Sequence, residues 1–344
     1  MNNGHEVFFV GLYNPPKHIL SAKGAINLDL NSKQSYFSFR ILFKLIKLLW
    51  KEKLAIVQAN GSDTLKYEVL AKVFSPRTKI IYRNISIVST WIKKRSFIYF
   101  FNKWLFNKVD FVTSVGEETM NDFIQTYSFP PAKIKVINRG VPYFQFDKIQ
   151  EKQKLSNEFH FDQNNLLMVH VGQFSTEKNH VFLIDCFEEI HRVNKDVVLL
   201  LIGEGPLQKD IKELVDKKQL NSNVLFAGHR KQIQQLLSAA DIFLLTSNVE
   251  GVPGVVLEAA MQSVPSIAVS VGGESEVVID GETGILIKGH DKNSFCSEAI
   301  NLLSDDSLRK NLGKNAYEMV YKNYSLKSCV DAFENLYNTL ADSK

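Results

Sequence analysis

Apolar residues along the chain fall into two alternating patterns. Short runs rich in valine, isoleucine, leucine and phenylalanine stand at HEVFFV (5–10), LAIVQ (54–58), KIIYR (79–83), DFVTSV (110–115) and IKVI (134–137). Runs of this kind, bounded by polar and turn residues, predict strands. Between them lie longer stretches of helical period, at about 36–53, 60–75, 96–107 and 116–126. After the polar stretch DKIQEKQKLSNEFHFDQNN (147–165) the alternation resumes with LLMVHV (166–171), VVLLLIG (197–203), NVLFAG (223–228), DIFLLT (241–246) and PSIAVS (265–270). Strand alternating with helix builds parallel sheets from βαβ units. The pattern therefore predicts an α/β protein of two doubly wound, Rossmann-like domains, joined near 145–165.

A length of 344 residues suits two domains. A composition of 45% hydrophobic and 23% charged residues excludes a disordered chain. The net charge of +4 conceals a division: residues 1–150 hold 22 lysines and arginines against 10 acids, or +12, and the remainder holds 19 against 27, or −8. Two bodies of opposite charge imply two kinds of partner. Aromatic residues concentrate in the basic part, in YFSFRILFKLIKLLWKEK (36–53) and WIKKRSFIYFFNKWLFNK (91–108). Arg40, Lys44, Lys47 and Lys51 beside Phe43, Ile46 and Trp50 suggest a helix that rests on an anionic membrane surface. No run of 18 uncharged apolar residues is present, and MNNGHEVFFV lacks the pattern of a secretory signal. Three scattered cysteines suggest a reducing compartment. The expected location is the cytoplasm, on the inner face of the membrane if the basic helices bind it. The basic residues are spread over amphipathic helices without a recognition module, so nucleic acid is not an expected partner.

In open parallel sheets ligands lie outside the carboxyl ends of the strands. In the second half of the chain those exits carry Gly172, Gly203 with Gly205, Gly228, the segment Glu250 to Gly254, and Gly272 with Gly273. Glycines at successive exits allow a nucleotide-sized ligand to approach the backbone closely. In SNVEGVPGVVLEAAMQSVPSIAV (247–269), Gly251, Pro253 and Gly254 shape a turn ahead of a helix whose first N–H groups and dipole suit a diphosphate. Glu250 then faces hydroxyls of a group attached to that diphosphate, and Glu258 faces a ribose diol. In VGQFSTEKNH (171–180) a helix starting near Thr176 brings Lys178 to the same sheet edge as a phosphate cation. In VLFAGHR (224–230), Gly228 and Arg230 are placed to meet a base and a phosphate.

The stretches GQFSTEKNH, LLIGEGPL, VLFAGHR, ADIFLLTS, EGVPGVVLEAA and GGESEVVIDGETGILI, in this order, resemble the donor half of retaining glycosyltransferases of family 4. The pair Glu250 and Glu258 matches that family's E-x7-E signature. LAIVQANGS, IIYRNIS and DFVTSVGEETMNDF fall where the family's acceptor domain has its strands, and SLKSCVDAFENLYNTLA (325–341) matches its last helix, which crosses back to the first domain. The resemblance implies a GT-B fold with a cleft between its two domains. It implies an acceptor domain over 1–145 with helix 325–341 packed on it, a linker over 146–165 and a donor domain over 166–324.

It also implies metal-free transfer of a sugar, with retention, from a nucleoside-diphosphate sugar of UDP or GDP type to a saccharide or lipid-linked acceptor in surface polysaccharide biosynthesis. Lys178 would bind the diphosphate, Glu250 the donor sugar, Glu258 the ribose, and the backbone of Gly251, Val252, Pro253, Gly254 and Val255 the phosphates. The loops at Gly203 to Gly205 and Gly228 to Arg230 would frame the base. Three departures stand out: Gln173 replaces the family's arginine after Gly172, Arg83 and Asn84 occupy the place of a histidine, and NNGHEV begins where members have already formed a strand and a glycine-rich loop. Arg139 or Arg230 is the expected substitute for the missing cation, and Arg83 an acceptor-side or phosphate contact. The third departure leaves open a truncated donor-binding protein or partner subunit, and a nucleotide-sugar epimerase of GT-B type is a second alternative.

Overall fold

The computed structural model describes residues 6–12, 25–28, 37–94 and 96–342. Two compact units divide the chain: Met1–Ser114, Met120–Val136 and Glu334–Lys344 in the first, Val115–Thr119 and Ile137–Phe333 in the second.

In the first unit β1 (Val10–Gly11) and β2 (Ile26–Asn27) form a parallel pair. There follow α1 (Phe39–Glu52), β3 (Ile56–Ala59), α2 (Ser62–Lys72), β4 (Lys79–Asn84), α3 (Phe97–Phe106), β5 (Phe111–Ser114), α4 (Glu117–Tyr127) and β6 (Ile134–Val136). Strands β3 to β6 pair in sequence order, all parallel. Helix α1 starts where the Ser38 hydroxyl accepts the Ile41 N–H at 3.4 Å and stops at Lys53, whose φ is 47°. Its period sends Ile41, Leu45, Ile46 and Leu49 into the core and leaves Phe39, Phe43 and Trp50 outside. Ile46, expected on the outward basic face, is therefore a core residue. Helix α3 is capped by Ser96, whose hydroxyl accepts the Tyr99 N–H at 3.1 Å.

The second unit contains a helix inside the expected linker. α5 (Lys148–Phe159) begins at Asp147, whose carboxylate accepts the N–H groups of Ile149 and Gln150 at 2.9 and 3.1 Å. Lys148 and Lys152 on it pair at 2.9 Å with Asp241, which also accepts the Leu167 N–H at 2.8 Å. The stretch is polar because α5 lies on the surface, not because it is unstructured.

Next come β7 (Leu166–Val171), α6 (His180–Val193), β8 (Val197–Ile202), α7 (Gln208–Lys217), β9 (Val224–Gly228), α8 (Ile233–Ser238), β10 (Ile242–Leu245), α9 (Gly254–Met261), β11 (Ser266–Ser270) and β12 (Gly284–Lys288). The chain closes with α10 (Lys292–Ser304), α11 (Asp306–Tyr324) and α12 (Leu326–Asp342). The six strands are parallel in the order β12-β11-β10-β7-β8-β9. Alternate residues of β7 feed opposite cores: Met168 packs with α6 and α10 residues, Leu167 and Val169 with α9 and α11 residues. Burial on both faces explains why β7, β8 and β10 read as unbroken apolar runs. The strand order reverses between β7 and β10, so their carboxyl ends flank the crevice where such sheets bind ligands.

Candidate functional site

The helix expected to start near Thr176 is a single 3₁₀ turn, Thr176–Lys178. Asn179 follows at φ 50°, a left-handed conformation that asparagine tolerates, and its side chain accepts the Phe182 N–H at 3.4 Å to open α6. This kink turns Lys178 towards the exit of β10. There its ammonium forms an ion pair with Glu250, whose Oε1 also accepts the Ser247 hydroxyl at 2.6 Å. The Lys178 side chain is 25% exposed and that of Glu250 12%. In so sheltered a pair, removing one partner strands the other charge, at a cost of about 3–5 kcal/mol.

Four further hydrogen bonds stitch the two exits together. Asn248 donates its N–H to the Glu177 carbonyl and its Nδ2 to the Thr176 carbonyl, both at 2.7 Å. Asn179 Nδ2 donates to Asn248 Oδ1 at 3.2 Å, and the Thr246 hydroxyl to the Lys178 carbonyl at 3.1 Å. The bonds hold the carbons that carry Lys178 and Glu250 at fixed positions before any ligand arrives. The only signal of them in the sequence is the polar run TSN at 246–248.

Beneath Lys178 lies a layer of rings. Phe174 stacks on His180 at 4.2 Å, and His180 meets His170 edge-on at 4.7 Å. His170 Nδ1 is 2.9 Å from the Leu244 carbonyl. Burial, aided by His180, pushes the His170 pKa down to about 3, and burial followed by Lys178 pushes that of His180 down to about 4. Both rings are thus neutral near pH 7. Gly172 fits between this layer and the lysine stem: a Cβ there would lie 3.1 Å from His170 Nε2 and 3.1 Å from Lys178 Cγ.

On the other side of the crevice α9 begins at Pro253 with no side-chain cap and no acidic residue in its first turn. Its free N–H groups and dipole favour an anion. Arg139 reinforces them, since its exposed guanidinium would lie 2.5 Å from a Cβ built on Gly254. Glu258, half-buried one turn on, has its carboxyl raised above the usual range by burial, against the opposing pull of Arg139. Gly251 faces open space, with no atom within 4 Å of where a Cβ would stand. Val252 and Val255 are half-buried around it.

Other expected donor residues behave differently. Gly203 and Gly205 are required by the protein's own packing, because a Cβ at either would strike backbone of the β7 exit: Gly172 O at 2.0 Å, Phe174 O at 2.5 Å. Gly203 also has φ 140°, so it needs glycine twice over. Gly203 N–H donates to the Gly228 carbonyl at 2.9 Å, tying the β8 and β9 exits together. Arg230 is committed to α5: it pairs with Glu158, donates from Nε to the Ala227 carbonyl at 2.9 Å and lies over the Phe159 ring. Gln173 is exposed. Arg83 belongs to the first unit, on β4 opposite Thr113 of β5. Glu274 was not anticipated: buried behind the β11 exit, it accepts the N–H groups of Val271 and Gly272 at 3.1 and 2.7 Å. Burial raises its carboxyl above the usual range, with Glu250 adding to the effect.

Two parallel α/β units, one of them six-stranded and doubly wound, are the architecture of a GT-B protein. Comparison with known proteins agrees. The family model of Glycosyl transferases group 1 matches residues 151–319, and that of Glycosyltransferase Family 4 matches residues 1–143. The chain belongs to glycosyltransferase family 4. N-acetyl-alpha-D-glucosaminyl L-malate synthase of Bacillus anthracis is 31% identical over 239 residues, 68% of this chain and 61% of that protein. The capsular polysaccharide biosynthesis glycosyltransferase CapM of Staphylococcus aureus is 26% identical over 352 residues, covering 97% of this chain and 92% of CapM. In fold, the chain is similar to Anabaena HepE, solved in complex with UDP-glucose, with a TM-score of 0.77, 18% identity and coverage of 92% and 85%.

Proposed function

We propose that the protein transfers a glycosyl group, with retention, from a nucleoside-diphosphate sugar of UDP or GDP type to a saccharide or lipid-linked acceptor during assembly of a surface polysaccharide. The observation that carries this reading is the Lys178–Glu250 pair at the β7/β10 switch point. CapM, whose name places it in capsular polysaccharide synthesis, and HepE, solved with UDP-glucose, support it at the level of relatives.

The residues account for the chemistry as follows. An incoming diphosphate competes with Glu250 for the Lys178 ammonium, while the N–H groups at Gly254 and Val255 and the Arg139 guanidinium take the remaining phosphate charge. Glu250, released from Lys178 but still held by Ser247, turns its carboxylate to the donor sugar. Glu258 accepts hydrogen bonds from the ribose, and its sheltered position keeps water from competing. As the bond from the anomeric carbon to the diphosphate lengthens, negative charge grows on the leaving oxygen, where fixed cations and helix N–H groups stabilise it without reorganising. The same oxygen accepts the acceptor's proton as the acceptor oxygen bonds to the anomeric carbon on the face it leaves. Arg83 is assigned to the acceptor or its phosphate.

Glu250→Gln tests the scheme. With a panel of UDP- and GDP-sugars, turnover should fall about 100-fold or more. Nucleoside-diphosphate affinity should be kept or raised, because the amide no longer competes for Lys178 while Ser247 keeps a partner. Transfer by the variant at the wild-type rate would exclude the assigned role. Proton NMR of the wild-type product should show the donor's anomeric configuration.

A further inference from the structure

We propose that α3 and the segment leading into it dock the protein onto an anionic lipid bilayer. The ten-residue helix buries one face, with Asn102, Leu105 and Phe106 inside. The other face carries Phe97, Ile98, Phe100, Phe101 and Trp104 at 85, 60, 58, 40 and 46% exposure. A soluble surface seldom holds so many large apolar side chains together without a partner. The flanks decide which partner. From position 69 to position 109 the chain has nine lysines and arginines and no acid. Lys93 and Lys94 stand exposed just before the helix and Lys108 just after it. Lys103 lies along the helix with its ammonium over the Tyr99 ring at 5.9 Å.

Aromatic rings ringed by lysines match the headgroup region of an anionic leaflet, where rings enter the acyl boundary and ammonium groups meet phosphates. A second copy of the chain fits poorly, since a two-fold contact would set these lysines against themselves with no acid of the stretch to answer them. Ten residues are too few to cross a bilayer, and among the described residues no helix is long and apolar enough to do so. Helix α1 is less suited to the role: Lys44 donates to the Leu28 carbonyl, Lys51 pairs with Glu52, and Trp50 Nε1 donates to the Phe74 carbonyl at 2.7 Å.

The test is flotation of the full chain with vesicles of phosphatidylglycerol and phosphatidylcholine, against phosphatidylcholine alone, without nucleotide. Binding should require phosphatidylglycerol, weaken with salt and shift Trp104 emission to the blue. Lys93→Gln with Lys94→Gln should lower partitioning about 25-fold, at about fivefold per lysine. Phe97→Ser with Phe100→Ser should lower it about tenfold or more, with unchanged melting because both positions face outwards. Three results would each overturn the proposal: no binding to anionic vesicles at low salt, equal binding to neutral vesicles, or wild-type partitioning by both double variants. So would concentration-dependent self-association that Phe97→Ser with Phe100→Ser abolishes. None of these bears on nucleotide binding, which is measured without lipid.

Discussion

Arg139 and Arg230 are interchangeable as sequence, each a cation able to replace the arginine that Gln173 displaces. Their surroundings separate them. Arg139 lies over Gly254 at the start of α9, whereas Arg230 is held by Glu158, Ala227 and Phe159. Arg139→Ala should therefore weaken nucleoside-diphosphate binding about tenfold, the worth of one charge-assisted contact, and Arg230→Ala less than threefold, both read by calorimetric titration. Glu250 and Glu258 are legible in the sequence because a charged residue in an apolar, glycine-bounded segment is unusual enough to demand a reason, and Lys178 because it follows a strand and a glycine at the same sheet edge. Ser247, Asn248 and Asn179 are not. Asn248 and Asn179 matter through hydrogen bonds across two loops about 70 residues apart in sequence, Ser247 through one to Glu250 three residues on, and a polar residue in a loop gives no sign of its partner. Glu274 could have been found by the reasoning applied to Glu250, since it too is a carboxylate amid glycines and valines.

At the scale of elements, the buried strands of the second unit are readable almost to the residue, because a strand covered on both faces must be apolar throughout. Among the elements that the sequence does not show, α5 and β12 escape it for opposite reasons. α5 is so polar that it reads as linker, yet its lysines are anchored on buried Asp241, whose carboxyl is held below its usual range: burial alone would raise it, but Lys148 and Lys152 outweigh that. β12 is an edge strand with only Ile285, Leu286 and Ile287 in succession, too short a run to stand out. Glycines at the strand exits suggest room for a ligand, and at Gly251 the space is open. At Gly272 the room is taken by the protein: a Cβ would lie 2.0 Å from the Glu250 carbonyl. Gly272→Ala should therefore lower stability by about 1–3 kcal/mol in urea unfolding and displace Glu250, cutting turnover as well. Unchanged stability and activity together would show that the β11 exit does not brace the site.

For the whole molecule, the opposite charges of the two halves are visible in the sequence and remain the simplest statement of a division of labour. The site proposed for an anion draws on Lys178 and the start of α9 from the acidic part of the sequence and on Arg139 from the basic part. The basic half carries its excess mainly between its helices, as at Lys93, Lys94 and Lys108 on either side of the exposed rings of α3. The claim on which the rest depends is that the β7/β10 switch point receives a nucleoside diphosphate. Calorimetric titration of UDP and of GDP into the wild-type chain and into Lys178→Ala measures it directly. One of the two nucleotides should bind the wild type, and Lys178→Ala should weaken that nucleotide about 10- to 100-fold while leaving thermal unfolding cooperative. Failure of both nucleotides to bind the wild type at millimolar concentration, or equal affinity in Lys178→Ala, would contradict it.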